Sequence, residues 1–324
     1  MAIGADRHPR DKSREGRESD GERTVHTRYG ALTFRDGRPT PESSQRLHKM
    51  LVFNRAIEVY QQHLAAMSML QFRAMAAAPG RQGAHRVVVW KALLGGDAAR
   101  LAGGSEMICA CAFLDLRKHG PTVLDVRAGT RGVLHNRWMR VVGDIGPPGR
   151  DRGEGGRYLV LPPGQAVDIP PGCFTLRSPT FGAWVLLHVT GLPLLEALTR
   201  LKGLRICALA QAADGPAVEF LDRADGRIDA VVPTGLRYFE ELGALVEQEP
   251  AEAISLLERS YLSQIGMRAG RRFEPDEELK ALLAEAALVG QAAAGLRGAA
   301  HEPPAVPVHR GGDWRRLVIG DLRS

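Results

Sequence analysis

The sequence predicts an α+β fold, in which an antiparallel β-sandwich or open barrel is flanked by N-terminal and C-terminal helices. Three observations carry that reading. Residues 142–189 switch between apolar runs and Gly/Pro-dense turns at intervals of about 8–12 residues, the rhythm of a compact antiparallel unit. Phe53, Ile57, Tyr60, Leu64 and Met67 recur at alternating spacings of four and three, which places them on one face of a helix. Residues 250–265 and 275–296 are amphipathic and begin in Glu-rich turns, as the positive end of a helix dipole favours.

At 324 residues, with 44% apolar and 25% charged side chains, the chain can bury a large core without disulfide or metal staples. Its net charge of +6 is uneven, with a surplus of +10 over residues 25–150 and −4 over 151–324. An Arg-rich surface accounts for this, with an anionic partner as the alternative. No Lys/Arg cluster alternates with aromatics, so no nucleic-acid partner is expected. Cys109, Cys111, Cys173 and Cys207 form no C-x-x-C pair and read as reduced, buried thiols. No h-region opens the chain and no apolar run approaches ~18 residues. The expectation is a soluble, cytoplasmic protein with neither signal peptide nor membrane partner.

Taken in order, residues 1–24 have balanced charges and few aliphatics, too little to offset their ordering entropy, and read as a disordered tail. A single domain is expected over 25–300. Structure starts near Thr24–Phe34, where alternation ends in an Asp36-Gly37 turn. Thr40 is the N-cap and Pro41 the first residue of a helical entry over 40–78, with a break near Met50. A β-rich core follows over 87–232. Within it Cys109, Cys111 and Phe113 share one face of a strand, and Lys118–Pro121 turns the chain into a hairpin with Thr122–Val126. Helices at Leu194–Arg200, Gly235–Val246, Pro250–Ile265 and Pro275–Leu296 frame a further strand at Ile228–Val232, the last three making a helical C-terminal part over 235–297. Residues 301–324 read as a Pro-rich tail.

Motifs with chemistry are few. Gly153-Glu154-Gly155-Gly156 precedes a strand at Tyr158–Leu161 and opens no helix, so it reads as a turn and not as a phosphate loop. The ten histidines make no H-E-x-x-H or H-x-H pattern, and Cys109 with Cys111 lacks two further zinc ligands. No metal and no cofactor are expected. The densest polar group is Arg177, Ser178 and Thr180, with Trp184 and His188 following in an apolar strand. An Arg beside two hydroxyls and an aromatic suits a carboxylate or another small anion. Alternatively, Arg177 pairs with Asp144, Asp151 or Glu154, Ser178-Pro179 turns the chain, and Trp184 is core.

The runs TRYGALTFRDGRPTPESSQRLHKMLVFNRAIEVY, FLDLRKHGPTVLDV, WMRVVGDIGPPGRDRGEGGRYLVLPPG, CFTLRSPTFGAWVLLHV and LRYFEELGALVEQEP resemble the bacterial family called domain of unknown function 1254, over about residues 27–320. The resemblance implies a β-barrel or jelly-roll-like sandwich with helices, an exported relative as the common case, and a second β-rich domain, number 1214, after the first. It implies no established biochemical role. Two departures stand out. An Asn-x-Asp-Thr-x-Tyr stretch typical of the family falls on Gly104, Ser105, Glu106, Met107, Ile108 and Cys109, where only the acid at Glu106 is kept. The chain also ends after the Gly312–Arg315 linker-like stretch, as a truncated, signal-less paralogue would.

Three functions stay open at this point. The leading one is a small-ligand-binding β-sandwich module, with a pocket of Glu106, Asp144, Arg177, Ser178, Thr180, Trp184 and His188. A hydrolase-like enzyme would use Glu106, Asp144 or His188 as acid or base in the same pocket. A structural or assembly module would use the sheet surface to form a homo-oligomer.

Overall fold

The computed structural model describes residues 21–76, 86–93, 106–212, 218–222 and 232–300. The tail over 1–20, residues 228–231 of the expected late strand and the 301–324 tail lie outside them. In chain order the strands are β1 (Arg23–Thr27), β2 (Gly30–Arg35), β3 (Arg38–Pro39), β4 (Arg86–Leu93), β5 (Glu106–Asp115), β6 (Thr122–Arg127), β7 (Arg131–Asn136), β8 (Val141–Ile145), β9 (Gly155–Leu161), β10 (Cys173–Arg177), β11 (Gly182–Thr190), β12 (Arg205–Ala208) and β13 (Glu219–Asp222). The helices are α1 (Pro41–Ala76), α2 (Leu116–His119), α3 (Leu194–Lys202), α4 (Leu236–Gln248), α5 (Leu256–Gln264) and α6 (Glu277–Ala300). The chain divides into two compact units, the first ending at Asn54 and the second beginning at Arg55.

In the first unit β1, β2 and β3 form an antiparallel meander. Asp36 and Gly37 both have positive φ (51° and 74°), as a tight hairpin turn between β2 and β3 requires. The Thr40 hydroxyl accepts from the Ser43 amide at 3.3 Å, so Thr40 caps α1 as expected, and Pro41 sits where no N–H is needed. The expected break near Met50 is absent. No Gly or Pro interrupts residues 42–76, and α1 runs on for 36 residues.

Two open sheets build the second unit. Six strands lie in the order β13-β4-β5-β11-β7-β8 and four in the order β10-β9-β6-β12. The α+β class holds. The sheets do not close into a barrel, and two neighbour pairs, β9/β10 and β4/β13, are parallel. Period-two alternation sorts the side chains. Ile108, Ala110, Ala112 and Leu114 of β5 and Ala183, Val185, Leu187 and Val189 of β11 enter a core shared with Leu124, Tyr158, Val160 and Leu176 of the smaller sheet. Cys111, Trp184, Leu186, Val88 and Val133 face the other way, under Met69 and Phe72 of α1. The helix stripe that is buried is Ala56, Val59, Tyr60, His63 and Met67, one position round from the expected one, and Ile57 and Leu64 are only half-buried.

Two expected elements differ. β5 and β6 are not a hairpin. The single turn α2, capped by Asp115 and ended by Gly120 at φ 67°, carries the chain from the larger sheet to the smaller. Residues 250–265 are not one helix either. A 3₁₀ turn at Ala251–Ala253 precedes α5, which restarts from a capping box in which Ser255 and Glu258 satisfy each other's backbone amides. α4 is fixed by Tyr238, whose hydroxyl donates to the Tyr60 carbonyl at 2.6 Å with the rings 4.1 Å apart. Among the described residues no helix is long and apolar enough to cross a membrane.

The glycine-rich loop before β9 is closed by its own carboxylate. Buried Asp151 accepts from the amides of Gly146 (2.7 Å) and Gly155 (3.1 Å) and from the Tyr158 hydroxyl (2.6 Å). Of the Gly153–Gly156 run, the Gly155 amide is thereby already used, and the Glu154 amide donates to the Asp151 carbonyl at 2.9 Å. Replacing Asp151 by Ala orphans three buried donors, so Asp151→Ala should lower unfolding free energy by roughly 2–4 kcal/mol in urea titration, and Tyr158→Phe by only about 1 kcal/mol. Equal, small losses would show that the loop is not organised by this carboxylate.

Candidate functional site

The residues expected to share a pocket lie in separate environments. Ser178 and Thr180 are buried in a turn: the Ser178 hydroxyl donates to the Thr180 carbonyl (2.7 Å), and the Thr180 hydroxyl donates to the Gly182 carbonyl (2.6 Å) while accepting from the Arg137 amide (3.0 Å). Arg177 is exposed at the end of β10. Asp151 is committed to its own loop, so it is not the expected partner of Arg177. Trp184 and His188 lie on the α1-facing side of β11. Asp144, half-buried on β8, pairs in register with Val133, two strands from β11. The Glu106 backbone belongs to β5, opposite Leu93, and its side chain lies outside the described residues.

A different group converges at the end of β11. Glu249, which follows α4, has a fully buried side chain that accepts from Arg137 Nε (3.0 Å), the Phe181 amide (2.6 Å) and the Gly182 amide (2.9 Å). The Arg137 guanidinium lies across Gly182 so closely that a Cβ there would stand 2.1 Å from Cζ, so only glycine fits. Arg137 is held from behind as well, because Asn136 Oδ1 accepts from the Trp138 and Arg140 amides and fixes the β7–β8 turn. Arg140 pairs with Glu258 on α5, and Arg117 donates to the Gln248 carbonyl and stacks over Phe181 at 3.8 Å. The basic surplus of residues 25–150 is thus met in part by acids and carbonyls of the chain's own C-terminal half.

Beside this junction lies a small half-open cleft of about 20 Å³, lined by Ala66, Met69, Leu70, Arg73, Phe113, Arg137, Gly182, Ala183 and Trp184. That is room for about one water or the head group of a ligand. Arg73 comes from α1 and Arg137 from the β7–β8 turn, so two Arg side chains line walls that are otherwise apolar. Burial lowers the Arg73 pKa, the Arg137 charge lowers it further, and the Asp115 carboxylate opposes both. Trp184 stacks on His135 at 4.6 Å and 11°, and its buried indole N–H finds no acceptor among the described residues.

Two thiols and two imidazoles on the larger sheet are held in unreactive forms. Burial pushes the Cys109 thiol up to about 12 and the Cys111 thiol well above its usual value, so neither is a thiolate near neutrality. Burial lowers His135 to about 4, and burial together with the Arg131 charge lowers His188 to about 4. His188 stands opposite Cys109 in register, yet a neutral imidazole beside a protonated thiol is not an activated nucleophile. Among the described residues no three His, Cys, Asp or Glu side chains come together as a metal site would need. His63, bonded through Nδ1 to the Val59 carbonyl at 2.9 Å, is a satisfied core residue.

The sequence left Arg73 and Arg137 unmarked and read Glu249 as a first-turn acid of the helix expected over 250–265, whereas it directly follows α4. Arg137 carried one signal: it is the charge inside an Asn136-Arg137-Trp138 turn next to an apolar strand. Glu249 carried another, an acid placed directly before Pro250 at a helix end. Arg73 had no local signal, since its role follows from the register of α1 over the sheet.

Residues 85–191 match the model of the family described as protein of unknown function DUF1254. The matched segment supplies Phe113, Arg137, Gly182, Ala183 and Trp184 of the cleft, while Arg73 and Glu249 come from outside it. The crystal structure of the VPA0106 protein from Vibrio parahaemolyticus is similar in fold, with a TM-score of 0.53 at 11% identity, covering 76% of this chain and 60% of that one. This chain therefore spans about 60% of that protein's length. No curated protein matches the chain.

Two measurements check this electrostatic picture. Glu249→Ala leaves Arg137 and two buried amides unpaired and should cost about 3–5 kcal/mol, whereas Arg140→Ala, which opens a half-exposed pair, should cost about 1 kcal/mol or less. Comparable costs at the two sites would remove the special standing of Glu249. For His135 and His188 the folded pKa is lower than the unfolded value of about 6.5, so the unfolded chain binds more protons as the medium acidifies. Their stabilisation is complete above pH ~6.5 and is lost progressively toward pH ~4. The urea midpoint should fall across that window, and His135→Phe, which keeps the ring stacked on Trp184, should flatten the fall. An unchanged profile in that variant would contradict the assignment.

Proposed function

We propose that this chain, which carries the DUF1254 family segment at residues 85–191, is a binding module whose site for a small anion is the cleft formed by Arg73, Arg137 and Trp184. The observation that carries the reading is that Arg73 and Arg137, whose charges act on one another, both line one cleft whose remaining walls are apolar. A guanidinium is a rigid, permanently charged fork suited to oxyanions, and a low-dielectric surround strengthens its interaction with one. Among the described residues the Arg137 guanidinium bonds Glu249 through its Nε, and its terminal nitrogens are the ones a ligand would meet. Arg73 has no ion pair within 4 Å among the described residues. The anion preference expected at Arg177 is thus relocated to these two side chains.

The protonated thiols of Cys109 and Cys111 and the low-pKa imidazoles of His135 and His188 speak for binding rather than hydrolysis, because none of the four is poised to attack or to relay a proton near neutrality.

The test is thermal unfolding in acetate, benzoate, phosphate and sulfate at constant ionic strength, with chloride as control. At least one oxyanion should raise the melting temperature by roughly 2–4 °C near saturation, through preferential binding to the folded state. Arg73→Gln should abolish the shift. A shift that survives in Arg73→Gln, or the absence of any shift, would count against the cleft.

A further inference from the structure

Resting on the reading of the cleft as an anion site, we infer that its ligand class is an organic monocarboxylate with an apolar tail, bound with the carboxylate between Arg73 and Arg137 and the tail along Met69, Leu70 and Phe113. Charge balance is the first argument. The two guanidiniums are already opposed by the buried Glu249 carboxylate on Arg137 and by the Asp115 carboxylate acting on Arg73. The residual positive field suits one negative charge better than the two of phosphate or sulfate, whose second charge would stand desolvated against Glu249 and Asp115. Shape is the second argument. A planar carboxylate meets a guanidinium fork through two parallel hydrogen bonds, and the cleft volume of about 20 Å³ admits such a head and little more. The third is the wall. Ala66, Met69, Leu70, Phe113 and Trp184 make the walls apolar, and Leu70 and Phe113 are the half-buried ones among them, so a tail leaving the cleft over these two removes hydrocarbon from water, which a bare inorganic anion cannot do. Met69 adds an adaptable surface, as thioethers do where tails of different shape must be met.

The experiment is isothermal titration of the full chain with hexanoate, acetate, phosphate and neutral hexanamide at constant ionic strength, in the wild type, Arg73→Gln and Leu70→Ala. Leu70 is half-buried on α1, so its truncation leaves the fold in place. Hexanoate should bind at least tenfold tighter than acetate or phosphate, with hexanamide at least tenfold weaker than hexanoate. Arg73→Gln should weaken hexanoate tenfold or more. Leu70→Ala should narrow the ratio of hexanoate to acetate affinity without changing acetate. Phosphate binding as tightly as hexanoate, with both lost in Arg73→Gln, would overturn the ligand class and leave the anion site standing. Hexanamide binding as tightly as hexanoate would show that the tail alone is recognised and overturn the charge requirement. Absence of binding by every anion, or hexanoate affinity unaltered in Arg73→Gln, would overturn both the class and the site.

Discussion

The buried carboxylate of Glu249 is the interaction on which the rest of the second unit depends. It gathers one guanidinium and two successive backbone amides, from the β7–β8 turn and from the start of β11. Each donor would carry a large desolvation cost if left alone, so the three segments are committed to one another. Through Glu249 the helical part that follows α4 is fastened to the end of the central strand, and the capping box of α5 with its Arg140 contact continues the same seam. A buried ion pair of this kind does little for net stability compared with a well-packed apolar pair, but it specifies which segments meet.

That seam also sets up the cleft. Arg137 lies flat across Gly182 because Glu249 holds its Nε and Thr180 holds its backbone amide. A guanidinium already fixed on one side would have little freedom still to lose on binding the proposed anion. Below it, the α1-facing side of the larger sheet is dry: Cys111, Trp184, Leu186 and Val133 pack under Met69 and Phe72, and the imidazole of His135 is neutral against the indole. The rigid floor comes from β11, whose odd residues sit in the inter-sheet core while its even residues face α1. One strand therefore fixes both the core and the cleft.

Much of this was legible in the chain itself. The Gly/Pro rhythm of residues 142–189 marked β8 to β11, the period-two run Cys109–Phe113 marked a strand with small residues on both faces, and Thr40-Pro41 marked the start of α1. Turn chemistry was also readable, since the glycines at 153–156 proved to belong to a loop closed from within by Asp151. What was not legible depended on distance. Whether Thr122–Val126 pairs with the strand before it or crosses to a second sheet is decided by α2 and by strand partners far along the chain, and no local pattern encodes that choice. The cleft suffered most: Arg137 stands 64 residues after Arg73 and Glu249 a further 112 on, and Arg177, locally the better candidate, ends in solvent because β10 is the edge of its sheet. The Ser178 and Thr180 hydroxyls, which looked like ligand groups, serve their own turn.

The most direct test of the proposed cleft is a crystal structure in the presence of 6-bromohexanoate, located by the anomalous signal of bromine. The expected result is one bromine peak at the apolar mouth beside Leu70 and Phe113, with carboxylate density between the guanidiniums of Arg73 and Arg137 and Glu249 still on Arg137 Nε. A bromine site elsewhere on the protein, with the cleft unchanged from its unliganded form, would contradict it.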